Sequence, residues 1–156
     1  MNESRQTMEK GKSGAAVGGA QPRPPNRVIV RWAGGEAFDG GRPGGPTIRV
    51  DGTGQTGPGP VDSVLIGLAG CSSIDIVQIL AKRRTPVRAL SIEVVGHRVE
   101  GTPRRLTRIE LEFRIAGDGI EREHAERAIE LGVNKYCSVR DSLARDITIE
   151  WTLILE

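Results

Sequence analysis

The order of apolar and polar residues along the chain predicts short strands interrupted by two helices. Five segments have the alternation or the β-branched content of strands: residues 28–32, 47–51, 89–100, 106–115 and 147–155. Residues 106–115 alternate apolar with charged side chains, which predicts one face in a core and one in water. Glycine-rich loops flank the first two strands, and residues 34–45 are expected to form a loop or a hairpin.

The most apolar stretch, residues 61–81, predicts a helix that is buried on nearly all sides. Gly67 and Gly70 lie inside it, and each costs roughly 1 kcal/mol relative to alanine in a helix interior. We therefore expect something to pack very close to this helix, such as a second copy of it. Residues 121–136 predict an amphipathic helix with one apolar stripe: Ala125, Ala128, Ile129, Gly132, Val133 and Tyr136.

The resulting element order is ββ-α-ββ-α-β, which predicts an α+β domain with antiparallel strand pairing. Residues 1–26 are rich in Gly, Ser, Pro and scattered charge, and we expect them to be disordered. The folded domain is then predicted to span residues 27–156. No repeat of solenoid length is present in the sequence.

Composition excludes several classes of function. The net charge is +2 and aromatic residues make up 3% of the chain. A nucleic-acid partner that needs a basic face or stacking aromatics is therefore not expected. No run approaches about 18 consecutive apolar residues, so no membrane span is expected. The N-terminus also lacks the apolar core of a secretory signal, and a cytoplasmic domain is predicted.

Two cysteines, Cys71 and Cys137, are the candidate reactive groups. They are too few for a secreted disulfide scaffold or a thiolate zinc site. In a reducing compartment, such residues are either inert core thiols or a redox pair formed by packing one helix on the other. The residues alone leave both interpretations open.

Two segments around the cysteines resemble one known family. Gly-Pro-Gly-Pro at residues 57–60, followed by LIGLAGCSSIDIVQILAKRR, closely resembles the start of the central helix in OsmC-like proteins. This superfamily contains the osmotically inducible peroxidases and the organic hydroperoxide resistance proteins. The segment AIELGVNKYCSVRDSL is similar to the family's second-cysteine segment, and its Lys-Tyr-Cys-Ser-Val form matches a less-studied subgroup.

The resemblance implies an intertwined homodimer, with the two central helices buried and two active sites at the subunit interface. It implies that Cys71 is the peroxidatic cysteine and Cys137 the resolving one. The expected activity is a thiol-dependent reduction of organic hydroperoxides in stress defence. An external dithiol would reduce the resulting disulfide, with no metal and no cofactor required.

The family also uses an arginine that stabilises the thiolate and a glutamate that holds this arginine. The glutamate position is Val61 here, and Asp62 follows it. Asp62 either replaces the glutamate or is a first-turn acid that favours the helix dipole. Arg49 resembles the strand arginine, but it could equally be a solvated charge on a strand. Arg31 and Arg42 are weaker candidates for the same role.

A function from another class competes with the peroxidase. The changes at Val61 and Asp62 favour a non-enzymatic dimeric module of the same fold, which binds an apolar small molecule at the interface. A stress protein without a ligand is a third alternative. His97 and His124 lie in no metal-ligand pattern, and Ser72 lacks the context of a serine hydrolase nucleophile.

Overall fold

The computed structural model describes residues 22–156, which form two three-stranded sheets with helices packed against one of them. The elements follow the chain as β1 (Ile29–Gly34), β2 (Ala37–Gly41), β3 (Thr47–Asp51), α1 (Pro60–Lys82), β4 (Ala89–Arg98), β5 (Leu106–Ala116), α2 (Arg122–Glu130), a π-helical segment (Leu131–Tyr136), α3 (Ser138–Ser142) and β6 (Thr148–Leu155). The disorder predicted for residues 1–26 falls largely on residues outside the described range. Residues 22–26 are exposed and have no regular secondary structure.

The first sheet is an antiparallel meander in the order β1-β2-β3. The sequence predicts a loop or a hairpin for residues 34–45, without a separate strand at β2. Its sequence, AFDGG, ends in two glycines, which are depleted in strands. One face of this sheet is apolar and open to solvent, and Trp32 is 70% exposed.

The second sheet has the order β4-β5-β6, with β5 in the centre. β4 and β5 pair antiparallel as predicted, but β6 runs parallel to β5, so the prediction of purely antiparallel pairing is wrong for β6. The reason is the helical connection, because α2, the π-helical segment and α3 carry the chain back to the end where β5 began. β5 shows the predicted alternation, with its apolar side chains buried and its charged ones outward.

The core lies between the second sheet and the helices. Its largest completely buried side chains come from α1, β5, α2 and the π-helical segment: Leu68, Ile76, Leu80, Ile109, Leu111, Phe113, Ile115, Ile129 and Val133. α1 buries one face in this core. Its opposite face is open within the protomer, where Ile66 is 58% and Ile74 61% exposed. The helix is therefore not buried on all sides by its own chain.

Within residues 22–156, α1 is the one helix whose length and composition would also suit a membrane span. This differs from the expectation of no such segment, which rested on uninterrupted apolar runs alone. The helix carries Asp75 near its middle and buries Leu68, Ile76 and Leu80 in the core. It therefore packs as the core helix of a folded domain.

The second predicted helix extends over the expected residues but changes its winding. It is α-helical to Glu130 and π-helical from Leu131 to Tyr136. The predicted stripe is buried as far as Val133, whereas Tyr136 is 49% exposed. The π-helical turn holds more residues than an α-turn, so it rotates Tyr136 away from the core face. Such π-helical turns occur frequently at functional sites.

Candidate redox site where the second helix meets α1

Local signals fix the start of α1 and thereby the position of Cys71. Pro60 opens the helix, where its missing N–H costs nothing. The Asp62 carboxylate accepts a hydrogen bond from the backbone N–H of Gly59 at 3.1 Å, which completes the cap. Cys71 then lies in the middle of α1 and is half-buried. The next residue, Ser72, is completely buried, and its hydroxyl donates to the carbonyl of Leu68 at 3.0 Å.

The π-helical segment brings Cys137 against the same part of α1. Gly132 permits this approach, because a Cβ at this position would lie 2.9 Å from the carbonyl oxygen of Ser72 and 3.0 Å from Ile76 Cγ1. Cys137 itself is 3% exposed and begins α3. Its sulfur accepts a hydrogen bond from the backbone N–H of Arg140 at 3.3 Å, as a helix-capping group does.

The structure places the thiols of Cys71 and Cys137 in contact, and both cysteines are reduced. Burial is the main cause that raises the pKa of Cys137 above its usual value. The contact with Cys71 raises it further, while the neighbouring Ser72 hydroxyl and the hydrogen bond from the Arg140 N–H act in the opposite direction. Cys137 also directs its thiol at the Leu68 carbonyl, 3.9 Å away. The two thiols therefore have unequal surroundings: Cys137 is buried and held neutral, and Cys71 is the more accessible sulfur.

Arg49, the predicted arginine, lies on the first sheet. Its guanidinium forms a two-point ion pair with Asp39, with Nε 2.5 Å from Oδ1 and NH2 2.9 Å from Oδ2. This hydrogen bond is the main cause that lowers the pKa of Asp39 and raises that of Arg49. No hydrogen bond or ion pair within residues 22–156 joins Arg49 to either cysteine or to Asp62. Asp62 acts as the helix-capping acid, which was one of its two expected roles.

Asp39 is a candidate site residue that the sequence analysis did not identify. It lies on β2, opposite Arg31 on β1 and opposite Arg49 on β3. Two arginines thus flank one carboxylate across three neighbouring strands, and the ion pair is formed with Arg49. Because β2 was not predicted as a strand, this row of charges could not be recognised from the sequence.

Asp51 organises the loop between β3 and α1, and it also was not predicted. Its carboxylate accepts four hydrogen bonds, from the backbone N–H and the hydroxyl of both Thr53 and Thr56. The hydrogen bonds from Thr56 and Thr53 hold the pKa of Asp51 far below its usual range. The signal in the sequence is an aspartate followed by two threonines in a glycine-rich loop.

An apolar groove runs between the open face of α1 and strand β4. Its volume is about 630 Å³, and its walls include Leu65, Gly70 and Leu90. Cys71 is not among its lining residues, although Gly70 directly precedes it in the helix. The groove can accept an alkyl or aryl group of moderate size.

Neither histidine lies in a metal-binding group. His97 contacts Glu110 at 2.9 Å on the outer face of the second sheet, and His124 lies 3.6 Å from Glu121. Across residues 22–156, the structure contains no group of three or more His, Cys, Asp or Glu side chains arranged to hold a metal ion. Both histidines form pairs with surface acids.

Comparisons with known proteins agree with this fold. The family model for OsmC-like protein matches residues 52–152. Protein YhfA of Escherichia coli K12 is 36% identical over 121 residues, which cover 77% of this chain and 90% of YhfA. A hypothetical protein from Aquifex aeolicus VF5 superposes with a TM-score of 0.72 at 26% identity, covering 86% of this chain and 99% of that one.

The organic hydroperoxide resistance protein OhrB of Bacillus subtilis has the same fold. The TM-score is 0.55 at 16% identity, and the match covers 82% of this chain and 96% of OhrB. The family match and the relationship to YhfA establish that this chain belongs to the OsmC-like family. The predicted α+β class and OsmC-like fold are thereby confirmed.

Proposed function

We propose that this protein is a thiol-dependent peroxidase that reduces organic hydroperoxides through Cys71 and Cys137. The observation that carries the proposal is the contact between the two thiols in unequal surroundings. Cys71 is half-buried while Cys137 is buried, so one thiol of the pair is open to a substrate. The fold shared with a hydroperoxide resistance protein supports the same conclusion.

The proposed cycle assigns one step to each cysteine. The Cys71 thiolate attacks the terminal oxygen of ROOH, the O–O bond breaks, and the alkoxide leaves and takes up a proton as ROH. Cys71 is then a sulfenic acid. The Cys137 sulfur attacks the Cys71 sulfur, and the departing hydroxide takes the Cys137 proton to leave as water. Burial raises the pKa of Cys137, so this thiol is protonated at rest and gives up its proton to the leaving hydroxide as it attacks. An external dithiol reduces the disulfide, as in a reducing cytoplasm.

We further propose that the working form is an intertwined homodimer. Two apolar surfaces remain open in the protomer, the outer face of α1 and one face of the first sheet. Patches of this kind rarely stay exposed in a monomer. Packing the first sheet of one copy over α1 of the other would cover both surfaces.

This arrangement gives Arg49 a role in the partner's active site. Within its own protomer, Arg49 lies on the first sheet, whose main contact with α1 is through β3. Crossing the interface would bring the guanidinium, held by Asp39, towards the partner's thiolate. A cation near a thiolate stabilises it and lowers its pKa.

The peroxidase is tested by following the loss of free thiol after rapid mixing with cumene hydroperoxide or hydrogen peroxide. A thiol with a pKa of ~8.5 is only about 3% ionised at pH 7, so ionisation of Cys71 alone accelerates the reaction roughly 30-fold over free cysteine. We expect at least this acceleration and no reaction in Cys71→Ser. We also expect a preference for cumene hydroperoxide, because apolar side chains such as Ile74 lie open on α1 one turn from Cys71. A rate for Cys71 equal to that of free cysteine would refute the proposal.

The role of Arg49 across the interface is tested with mixed dimers. Cys71→Ser and Arg49→Gln chains with different tags are co-expressed, and the mixed species is isolated. If Arg49 serves the partner, the mixed dimer regains one complete site of two, whereas each variant alone is impaired. A mixed dimer as inactive as the variants would place Arg49 in its own protomer's site or in none.

The apolar groove also favours a second function, that of a non-enzymatic module that binds an apolar small molecule. The two functions differ in the state of Cys71. Its pKa is measured from the ultraviolet absorbance of the thiolate. A value near ~8.5 would support the binding module, and a clearly lower one the peroxidase.

A further inference from the structure

A separate polar cavity of about 270 Å³ lies beside Cys137. Its walls are residues of the π-helical segment and α3, and they include Lys135, Cys137 and Arg140. Within the described part of the chain, no residue of α1 lines it. The peroxide-reducing steps proposed above take place at Cys71 and assign no role to this cavity.

The position of the cavity suits the reduction of the disulfide. The Cys137 sulfur contacts Leu68 and Cys71 of α1, and Cys137 also lines the cavity, whose other walls come from outside α1. Thiol–disulfide exchange proceeds by attack of a thiolate on a sulfur, with the second sulfur leaving from the opposite side. A thiol in the cavity would therefore approach Cys137 from among residues other than those of α1, the helix that carries the leaving sulfur of Cys71.

The charge of the cavity indicates which thiols it accepts. Lys135 and Arg140 form no ion pair within residues 22–156, and Asp141 is the acid in the lining, so the net charge is positive. The guanidinium of Arg140 makes no hydrogen bond to another described residue, and its Nε is buried without a partner. The Lys135 ammonium lies 5.5 Å from the ring centre of Tyr136. Two cations beside the sulfur attract an anion.

We propose that this cavity is the entry site of the reductant and that it selects thiols carrying a negative charge, such as a carboxylate. The proposal rests on the proposed function, since it needs the Cys71–Cys137 disulfide. The incoming thiolate forms a bond with Cys137 Sγ, the Cys71–Cys137 bond breaks, and its electron pair leaves on Cys71, which takes up a proton. A second thiol attacks the mixed disulfide, releases Cys137 as a thiol and departs as the oxidised disulfide. Two thiols are oxidised for each protein disulfide reduced.

The test uses three small thiols that differ in charge: 3-mercaptopropionate, 2-mercaptoethanol and cysteamine. The protein disulfide is prepared with diamide, so that peroxide chemistry is not required. Each rate of reduction is corrected for the thiolate fraction and divided by the rate of the same thiol with hydroxyethyl disulfide. We expect the anionic thiol to exceed the neutral one by about 3- to 10-fold, the range of one or two exposed ion pairs, and the cationic one to be slower. High salt should remove the difference.

Variants then assign the preference to the cavity. Lys135→Gln and Arg140→Gln should each reduce the advantage of 3-mercaptopropionate, and Lys135→Glu should reverse it. Lys82→Gln is the matched control and should leave the preference unchanged. Lys82 is also an exposed lysine, but it lies eleven residues from Cys71 along α1, about 16 Å away. Lys135 is also exposed, so its variants keep the test valid if Arg140→Gln fails to fold.

Each outcome bears on the proposal. Equal corrected rates for the three thiols, or a preference that survives both cavity variants, would overturn it. A chain that forms no disulfide with diamide would overturn both this proposal and the peroxidase cycle. If the protein disulfide shows the charge preference but the protein does not react with hydroperoxides, the reductant site stands and the proposed peroxidase activity is refuted.

Discussion

Gly132 is the residue on which the meeting of the two cysteines depends most directly. In Gly132→Ala, the new Cβ would lie 2.9 Å from the backbone oxygen of Ser72 and 3.0 Å from a side-chain carbon of Ile76. The Ser72 oxygen belongs to the middle of α1 and cannot move aside. The π-helical segment must therefore retreat by about half an ångström to restore ordinary contact distances.

The cost of this substitution is the difference between two opposing effects. Forcing one methyl group into a packed core costs about 1–3 kcal/mol. Alanine gains about 0.5–1 kcal/mol over glycine in helical backbone, which offsets part of this cost. We expect a net loss of about 1 kcal/mol, which lowers the midpoint of thermal unfolding by roughly 2–4 °C for a chain of this length. The same retreat moves Cys137 away from Cys71 and slows disulfide formation, since a disulfide tolerates little change in Cβ separation.

Urea unfolding of the reduced protein measures the stability, and diamide oxidation followed by thiol counting measures disulfide formation. Asn134→Ala is the matched control, because Asn134 is exposed in the same π-helical segment and the change alters helix propensity without adding bulk against α1. The control should form the disulfide at the rate of the parent. A Gly132→Ala protein that is as stable as the parent and forms its disulfide equally fast would refute the argument from close packing.

Three further predictions follow from other contacts. In Gly67→Ala the new methyl meets no atom of its own protomer, so a monomer would gain up to about 1 kcal/mol of stability. The proposed dimer should instead lose stability, and its unfolding midpoint should depend on protein concentration. A gain in stability at every concentration would contradict the dimer. Because the pKa of Asp51 is strongly lowered in the folded state, its contribution to stability is present above the unfolded pKa of ~3.9 and is lost as the pH falls below it. Urea unfolding between pH 6 and pH 2.5 should therefore show a steeper acid loss for the parent than for Asp51→Asn, and equal slopes would contradict this. In stopped-flow thiol assays, Asp39→Asn should slow the oxidation of Cys71, but by less than Arg49→Gln does. The Asp39 variant loses the carboxylate that positions Arg49 but keeps the guanidinium. An unchanged rate in Asp39→Asn would show that Asp39 does not position Arg49 for the reaction.

The parts of the fold that could be predicted from the sequence are those where one local pattern decides the structure. β5 alternates apolar and charged residues without interruption, and its buried face is the predicted one. The helix α1 begins at Pro60, where proline, glycine and a first-turn acid all favour a helix start. The contact between the cysteines was anticipated because each lies in a distinct motif of one family.

The remaining features depend on contacts between distant segments. The strand β2 is short and glycine-rich, so only its pairing with β1 and β3 makes it a strand. The parallel direction of β6 follows from the path of the helices before it. The change to π-helical winding at Leu131 gives no signal in residue periodicity, yet it determines that Tyr136 turns outward and Cys137 inward. The ion pair of Arg49 with Asp39 likewise needed the register of two strands.

The most direct test of the redox pair is the intact mass of the reduced protein after one equivalent of cumene hydroperoxide. The parent should lose two hydrogen atoms, and peptide mapping should locate the new bridge between Cys71 and Cys137. Cys137→Ser should instead gain oxygen at Cys71, as sulfenic or sulfinic acid. A parent protein that gains oxygen without a bridge, or whose mass stays unchanged, would contradict the assignment of these two cysteines as a peroxide-reducing pair.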